Sequence, residues 1–116
     1  MVQLGDIWKI HFPYGDKPGF KERPVVVVGA SPMGLREEQV ILVVMVTSQI
    51  HQRRNGDVII VNHSAVGLSR PSIVKARRLF SATPLMFQRS ESTWLGSLDA
   101  TTFNQVLNEI AILFSP

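Results

Sequence analysis

The feature that most constrains this chain is the run Arg23-Pro24-Val25-Val26-Val27-Val28-Gly29-Ala30. Consecutive β-branched residues lose side-chain freedom in a helix and pack well on a pleated surface. Because the run has no polar alternation, it suits a central strand covered on both faces. Pro24 is tolerated at a strand's first position and keeps Arg23 extended. A sheet with partners on either side of this segment is the first expectation.

The flanking sequence supplies those partners. From Gly5 to Phe12 the residues Ile7, Lys9 and His11 alternate with Trp8, Ile10 and Phe12, the pattern of a half-buried strand. The stretch from Pro13 to Glu22 is rich in proline, glycine and charge and is expected to be a long, mobile loop. Residues 31–38 read as a turn or a short helix, with Ser31 as a cap and Pro32 at the first helical position. Gln39–Ser48 and Asp57–Val61 are two more β-rich runs. With the polar turn His51-Gln52-Arg53-Arg54-Asn55-Gly56 between them, they are expected to form a hairpin. Ser72–Phe80 places Ile73, Lys75, Arg77 and Leu79 on one face and Val74, Ala76, Arg78 and Phe80 on the other. After Asp99, a plausible N-cap, Phe103, Val106, Leu107, Ile110 and Phe114 recur at helical spacing. Five or so strands closed by one helix predict a mainly β fold, a small barrel or strongly bent sheet, with residues 1–116 as one unit.

Composition narrows the chemistry. With no cysteine, the chain has no disulfide, thiolate metal site or thiol nucleophile. The three histidines, His11, His51 and His63, are scattered without metal-ligand spacing, so neither metal nor cofactor is expected. No apolar stretch is long enough for a membrane span, and the first residues lack a signal-peptide layout. The cytoplasm is therefore the expected location. A formal net charge of +3 favours an anionic partner without identifying it.

Four segments taken in order resemble the MazF/PemK family of bacterial toxins. They are Gly5-Asp6-Ile7-Trp8, the loop running into Arg23-Pro24 and the valines, Val46-Thr47-Ser48-Gln49-Ile50, and Gly67-Leu68-Ser69-Arg70-Pro71-Ser72-Ile73-Val74-Lys75. The resemblance implies an SH3-like barrel with a C-terminal α-helix and a homodimer whose interface forms an RNA groove. It also implies a cognate antitoxin for that groove and metal-independent, sequence-selective cleavage of single-stranded RNA. Carried over residue by residue, the family's Arg-Pro arginine falls on Arg23 and its strand-end threonine on Thr47. Some relatives instead rely on an arginine and an aspartate two apart on the later strand, together with a first-loop histidine. Here those strand positions hold Lys75 and Arg77, and the first loop has no histidine, so that acid/base pair does not transfer.

These residue types suit the implied reaction. RNA carries its own nucleophile, the 2′-hydroxyl, so an enzyme can work by orienting that oxygen and stabilising charge at phosphorus. Arg23 offers a planar, permanently charged fork for phosphate oxygens, and Thr47 offers a hydroxyl to orient the phosphate. Lys21, Ser48, Gln49, Arg53, Arg54, Lys75 and Arg77 are candidates for RNA contact through charge or hydrogen bonding. Tyr14 and Phe20 could stack an unpaired base. Each has a plainer reading as a strand residue or a solvated charge. The proton acceptor is not identified, although histidine is the usual type for that role. A non-catalytic alternative on the same scaffold is an RNA-binding module or a CcdB-like inhibitor of a protein. The latter depends on a Trp-Gly-Ile terminus, whereas this chain ends Leu113-Phe114-Ser115-Pro116.

Overall fold

The computed structural model describes residues 2–13, 16–31, 39–89 and 91–115. The expected turn or helix at 32–38 and the stacking candidate Tyr14 lie outside them. Six antiparallel strands form one sheet: β1 (Asp6–Pro13), β2 (Phe20–Ala30), β3 (Ile41–Thr47), β4 (Asp57–Ile60), β5 (Ser72–Ala82) and β6 (Thr93–Ser97). Their spatial order is β4-β5-β3-β2-β1-β6. A short helix α1 (Pro84–Gln88) and a longer α2 (Ala100–Ile112) complete the described elements. The mainly β, barrel-like fold with a C-terminal helix is as expected.

The valine run explains the position of β2. Val26 and Val28 join one core with Ile7, Val44, Val46, Val58, Val74, Ala76 and Val106. Val25 and Val27 join a second core with Ile10, Phe12, Val43 and Phe87. Phe103, Leu107 and Ile110 of α2 pack on the first core, while Trp8 sits edge-on to Phe87 of α1 in the second, with ring centroids 5.6 Å apart. Both faces of β2 are therefore buried along Val25–Val28, which is why alternation is absent from that run.

Several expectations need correction. β3 and β4 do not pair as a hairpin, because β5 lies between them and pairs with both. The connection through the 3-10 turn at Ile50–Gln52 carries the chain across one strand position, and the one through Ser64–Val66 then returns it beside β4 as β5. The stretch 13–22 is strand at both its ends: Phe20, Lys21 and Glu22 pair with Pro13, Phe12 and His11, and residues 16–19 bend between them. Backbone pairing and charges facing across the strands (Glu22 with Lys9 and His11) extend a ribbon that apolar counting left out. Along β5 the alternation breaks, since Val44 pairs with Leu79 but Val46 with Val74. This irregularity puts Leu79 with Val74 and Ala76 in one core and Phe80 in the other. Phe114 lies past the end of α2 and is exposed.

The curled sheet is drawn together at two places. Asp6, buried at the start of β1, accepts from Ser97 Oγ of β6 (3.1 Å) and from the Gln3 N–H (2.9 Å), tying the first strand to the last. Beside β6, Gly67 and Gly96 allow backbones to touch: a Cβ on Gly67 would collide with the Leu95 carbonyl oxygen, and one on Gly96 would lie 2.6 Å from that of Val66. No helix among the described residues is long and apolar enough to cross a membrane.

Candidate active site

A cleft of about 340 Å³ opens between the start of β2 and the end of β3. Its origin is in the ladder. β2 and β3 pair Val27 with Val43, Val26 with Val44 and Val25 with Met45, and the pairing then stops. The next residue is Pro24, which has no N–H to give a neighbour and is paired on its other side with Lys9. Beyond it the strands diverge, and Arg23, Pro24, Val46 and Thr47 become walls of the gap instead of cross-strand partners.

Lys21, Glu22, Arg23 and Pro24 line the cleft from β2, and Thr47, Ser48 and Gln49 from the end of β3. The floor comes from Leu68, Ser69, Arg70 and Ser72, at the entrance to β5. Thr47 Oγ1 accepts from the Gln49 N–H (3.1 Å), which fixes the turn leaving β3 and leaves the hydroxyl proton available as a donor. Ser72 Oγ donates to the Arg70 carbonyl (2.9 Å) and holds the floor segment.

Charge is distributed unevenly. Among the described residues, the cleft cations Lys21, Arg23 and Arg70 have no carboxylate partner. Cations elsewhere do. Lys75 Nζ lies 2.7 Å from Asp57 Oδ2, with both side chains largely buried, and it also donates to the Gln52 carbonyl (3.3 Å). Arg77 Nη2 lies 3.0 Å from Glu109 of α2. Lys75 and Arg77 are thus engaged within the protein and lie outside the cleft lining. Arg53 and Arg54 are exposed in the turn before β4, where the Arg54 N–H donates to Asp57 Oδ2 (2.8 Å), and they too are outside it. Phe20 is exposed at the start of β2.

Of the residues singled out from sequence, the structure gathers Lys21, Arg23, Thr47, Ser48 and Gln49 in one place. Glu22, Ser69, Arg70 and Ser72 were missed. Arg70 had a signal, a cation beside Pro71, but only the fold brings it into the cleft that Arg23 lines. Among the described residues, no group of three His, Cys, Asp or Glu side chains could hold a metal.

This curled six-stranded sheet with a C-terminal helix and a polar, cationic cleft defines a small barrel-like β domain. Residues 3–114 match the family model described as PemK-like, MazF-like toxin of type II toxin-antitoxin system. The chain belongs to that family. Its fold is shared with MazF (Form-I) from Deinococcus radiodurans, at TM-score 0.70 and 19% identity over 97% of this chain and 96% of that one. It is shared also with a MazE-MazF complex (Form-II) from the same organism, at TM-score 0.69 and 18% identity over 98% and 95% of the two chains. No curated protein sequence matches significantly.

Proposed function

We propose that this toxin is an endoribonuclease that cleaves single-stranded RNA without a metal, working from the β2–β3 cleft in the cytoplasm. The observation that carries the reading is the placement of Arg23 and Thr47 on facing walls of one cleft whose cations lack partners among the described residues. A cleft with uncompensated positive charge is completed by an anion, and the phosphodiester is the anion that a guanidinium fork fits best. In this reading the 2′-hydroxyl attacks phosphorus, Arg23 stabilises the charge growing on the phosphate oxygens, and Thr47 orients the group through its hydroxyl. Lys21, Ser48 and Gln49 hold the neighbouring backbone, and Arg53 and Arg54 extend the track at its edge. The products are a 2′,3′-cyclic phosphate and a 5′-hydroxyl.

A homodimer and a cognate antitoxin complete the proposal. The Deinococcus radiodurans MazE-MazF complexes are relatives in fold, which supports an antitoxin for this toxin. Cleavage of fluorescent single-stranded RNAs of varied sequence, with mass analysis of the new ends, tests the activity. Cyclic-phosphate ends support it. Absence of any cut across those sequences favours a non-catalytic binder on the same scaffold.

A further inference from the structure

We infer that Glu22 is the proton acceptor of the reaction, taking the 2′-hydroxyl proton while Arg23 acts on the phosphate from the other face of the same strand; this rests on the ribonuclease reading above. Among the described residues, the cleft lining holds one carboxylate, and it is Glu22. Adjacent residues of a strand project to opposite faces. Where strands are paired, that geometry would keep Glu22 and Arg23 from serving one substrate. Here the β2–β3 ladder has ended, and both residues line the cleft that opens beyond it. In-line displacement asks that the base stand on the attacking side of phosphorus, away from the leaving oxygen, while the guanidinium meets the non-bridging oxygens.

The surroundings of Glu22 position it. His11 is its cross-strand partner on β1, with Nε2 3.7 Å from Glu22 Oε1, and Lys9 Nζ lies 3.7 Å from Oε2. The far side of the His11 ring is fixed in turn, with Nδ1 3.4 Å from Glu91 Oε1, beside which Arg89 Nη1 lies at 3.8 Å. Charged groups therefore face Glu22 from β1 (Lys9, His11) and, through His11, from the segment before β6 (Glu91, Arg89). Lys21, Arg23 and Arg70 share its cleft. Lys9 and His11 hold the carboxylate in place without burying it, and its side chain is 46% exposed, open to substrate.

The 2′-oxygen forms a bond to phosphorus as its proton passes to the Glu22 carboxylate. The bond from phosphorus to the 5′-oxygen breaks, and water protonates the departing oxygen. Glu22 then returns its proton to solvent. General-base help of this type is worth about 10² to 10⁴ in rate.

The test compares wild type, Glu22→Gln and Glu22→Asp in single-turnover cleavage across pH, with binding measured on a 2′-O-methyl RNA that cannot be cut. Glu22→Gln should cleave at least about 10²-fold more slowly and bind the analogue as well as wild type or more tightly, since it removes a negative charge from a cationic cleft. It should also lose the fall in rate at low pH that protonation of a base produces. Glu22→Asp should keep that low-pH fall and recover part of the rate. Cleavage by Glu22→Gln within a few-fold of wild type overturns the assignment, as does a rate loss matched by lost analogue binding or by a lowered unfolding midpoint. If wild type binds RNA but cuts none, the ribonuclease reading fails and the role of Glu22 fails with it.

Discussion

Arg23 and Thr47 occupy the register positions that would face each other if the β2–β3 ladder ran two residues further, since it pairs 27 with 43, 26 with 44 and 25 with 45 before stopping. The cleft is thus an unpaired continuation of the sheet. Its two walls are set by the same backbone hydrogen bonds that hold the core, which is the rigid support that a positioned guanidinium and hydroxyl require.

The first prediction follows from that placement. Arg23→Ala should reduce RNA cleavage by about 10²- to 10³-fold, the usual cost of losing one preorganised charge stabiliser. The side chain is only partly buried, so circular dichroism and the urea midpoint should remain near wild type. Activity of the wild type should survive excess chelator. Unchanged cleavage by Arg23→Ala would sink the role given to this residue.

Lys75 should behave differently from the cleft cations. Its ammonium faces Asp57 at 2.7 Å with little exposure, and Lys75→Met leaves that carboxylate with its charge uncompensated. Breaking such a pair costs about 3 kcal/mol, read as a lower urea midpoint. The slope of log affinity for RNA against log salt should hardly move in the surviving folded protein, whereas Arg23→Ala should reduce it by about 0.7. A Lys75→Met protein of full stability with a reduced slope would place this lysine on the RNA.

How much of this could be read from the sequence varies by element. The buried centre of the sheet was evident because four valines in a row have few other uses, and α2 because its apolar spacing and Asp99 agree. Pairing order was not evident. Nothing local in Gln39–Ser48 or Asp57–Val61 says that β5 will come between them, since that is decided by long-range burial. The site was half visible: Arg23 and Thr47 stood out through the resemblance, while Glu22 and Arg70 matter only once two distant segments meet. β6 was missed because Gly96 and Ser97 interrupt its apolar pattern, where the still shorter β4 carries Val58, Ile59 and Ile60 together, and α1 because five residues are too few for a helical period to register.

Helix α2 gives a pH-dependent prediction. Asp99 accepts from Thr102 Oγ1 (2.7 Å) and the Thr102 N–H (3.1 Å), and these bonds hold its carboxyl below the ordinary value of 3.8. A depressed folded value means the ionised cap stabilises the fold above that ordinary value and loses its effect as pH falls through the folded one. Asp99→Ala should therefore lower the thermal midpoint at neutral pH, and the gap to wild type should narrow on acidification below pH 3.8. A gap of constant size from neutral pH into strong acid would contradict this.

Gly67 is the most demanding backbone position near the seam beside β6. Its φ is +83°, and an added Cβ would meet the Leu95 carbonyl. Gly67→Ala combines left-handed strain of about 1–2 kcal/mol with that collision, so it should unfold at clearly lower urea than wild type. Gly29→Ala, whose Cβ would make ordinary contact with Leu42, should be much milder. Equal midpoints for the two variants would argue against a tight seam.

The bond between Asp6 and Ser97 joins positions ninety-one residues apart, and β1 depends on β6 for its second partner. Arg23 and Thr47, by contrast, come from neighbouring strands made early. During synthesis the cleft's walls are therefore complete long before the strand that finishes the sheet has been added. Non-local closure of this sort is slow and leaves a strand edge exposed in the meantime. For a toxin this sets an order of events: a nascent chain carries Arg23 and Thr47 for some time before residues 93–97 and helix α2 complete the sheet and core that hold them.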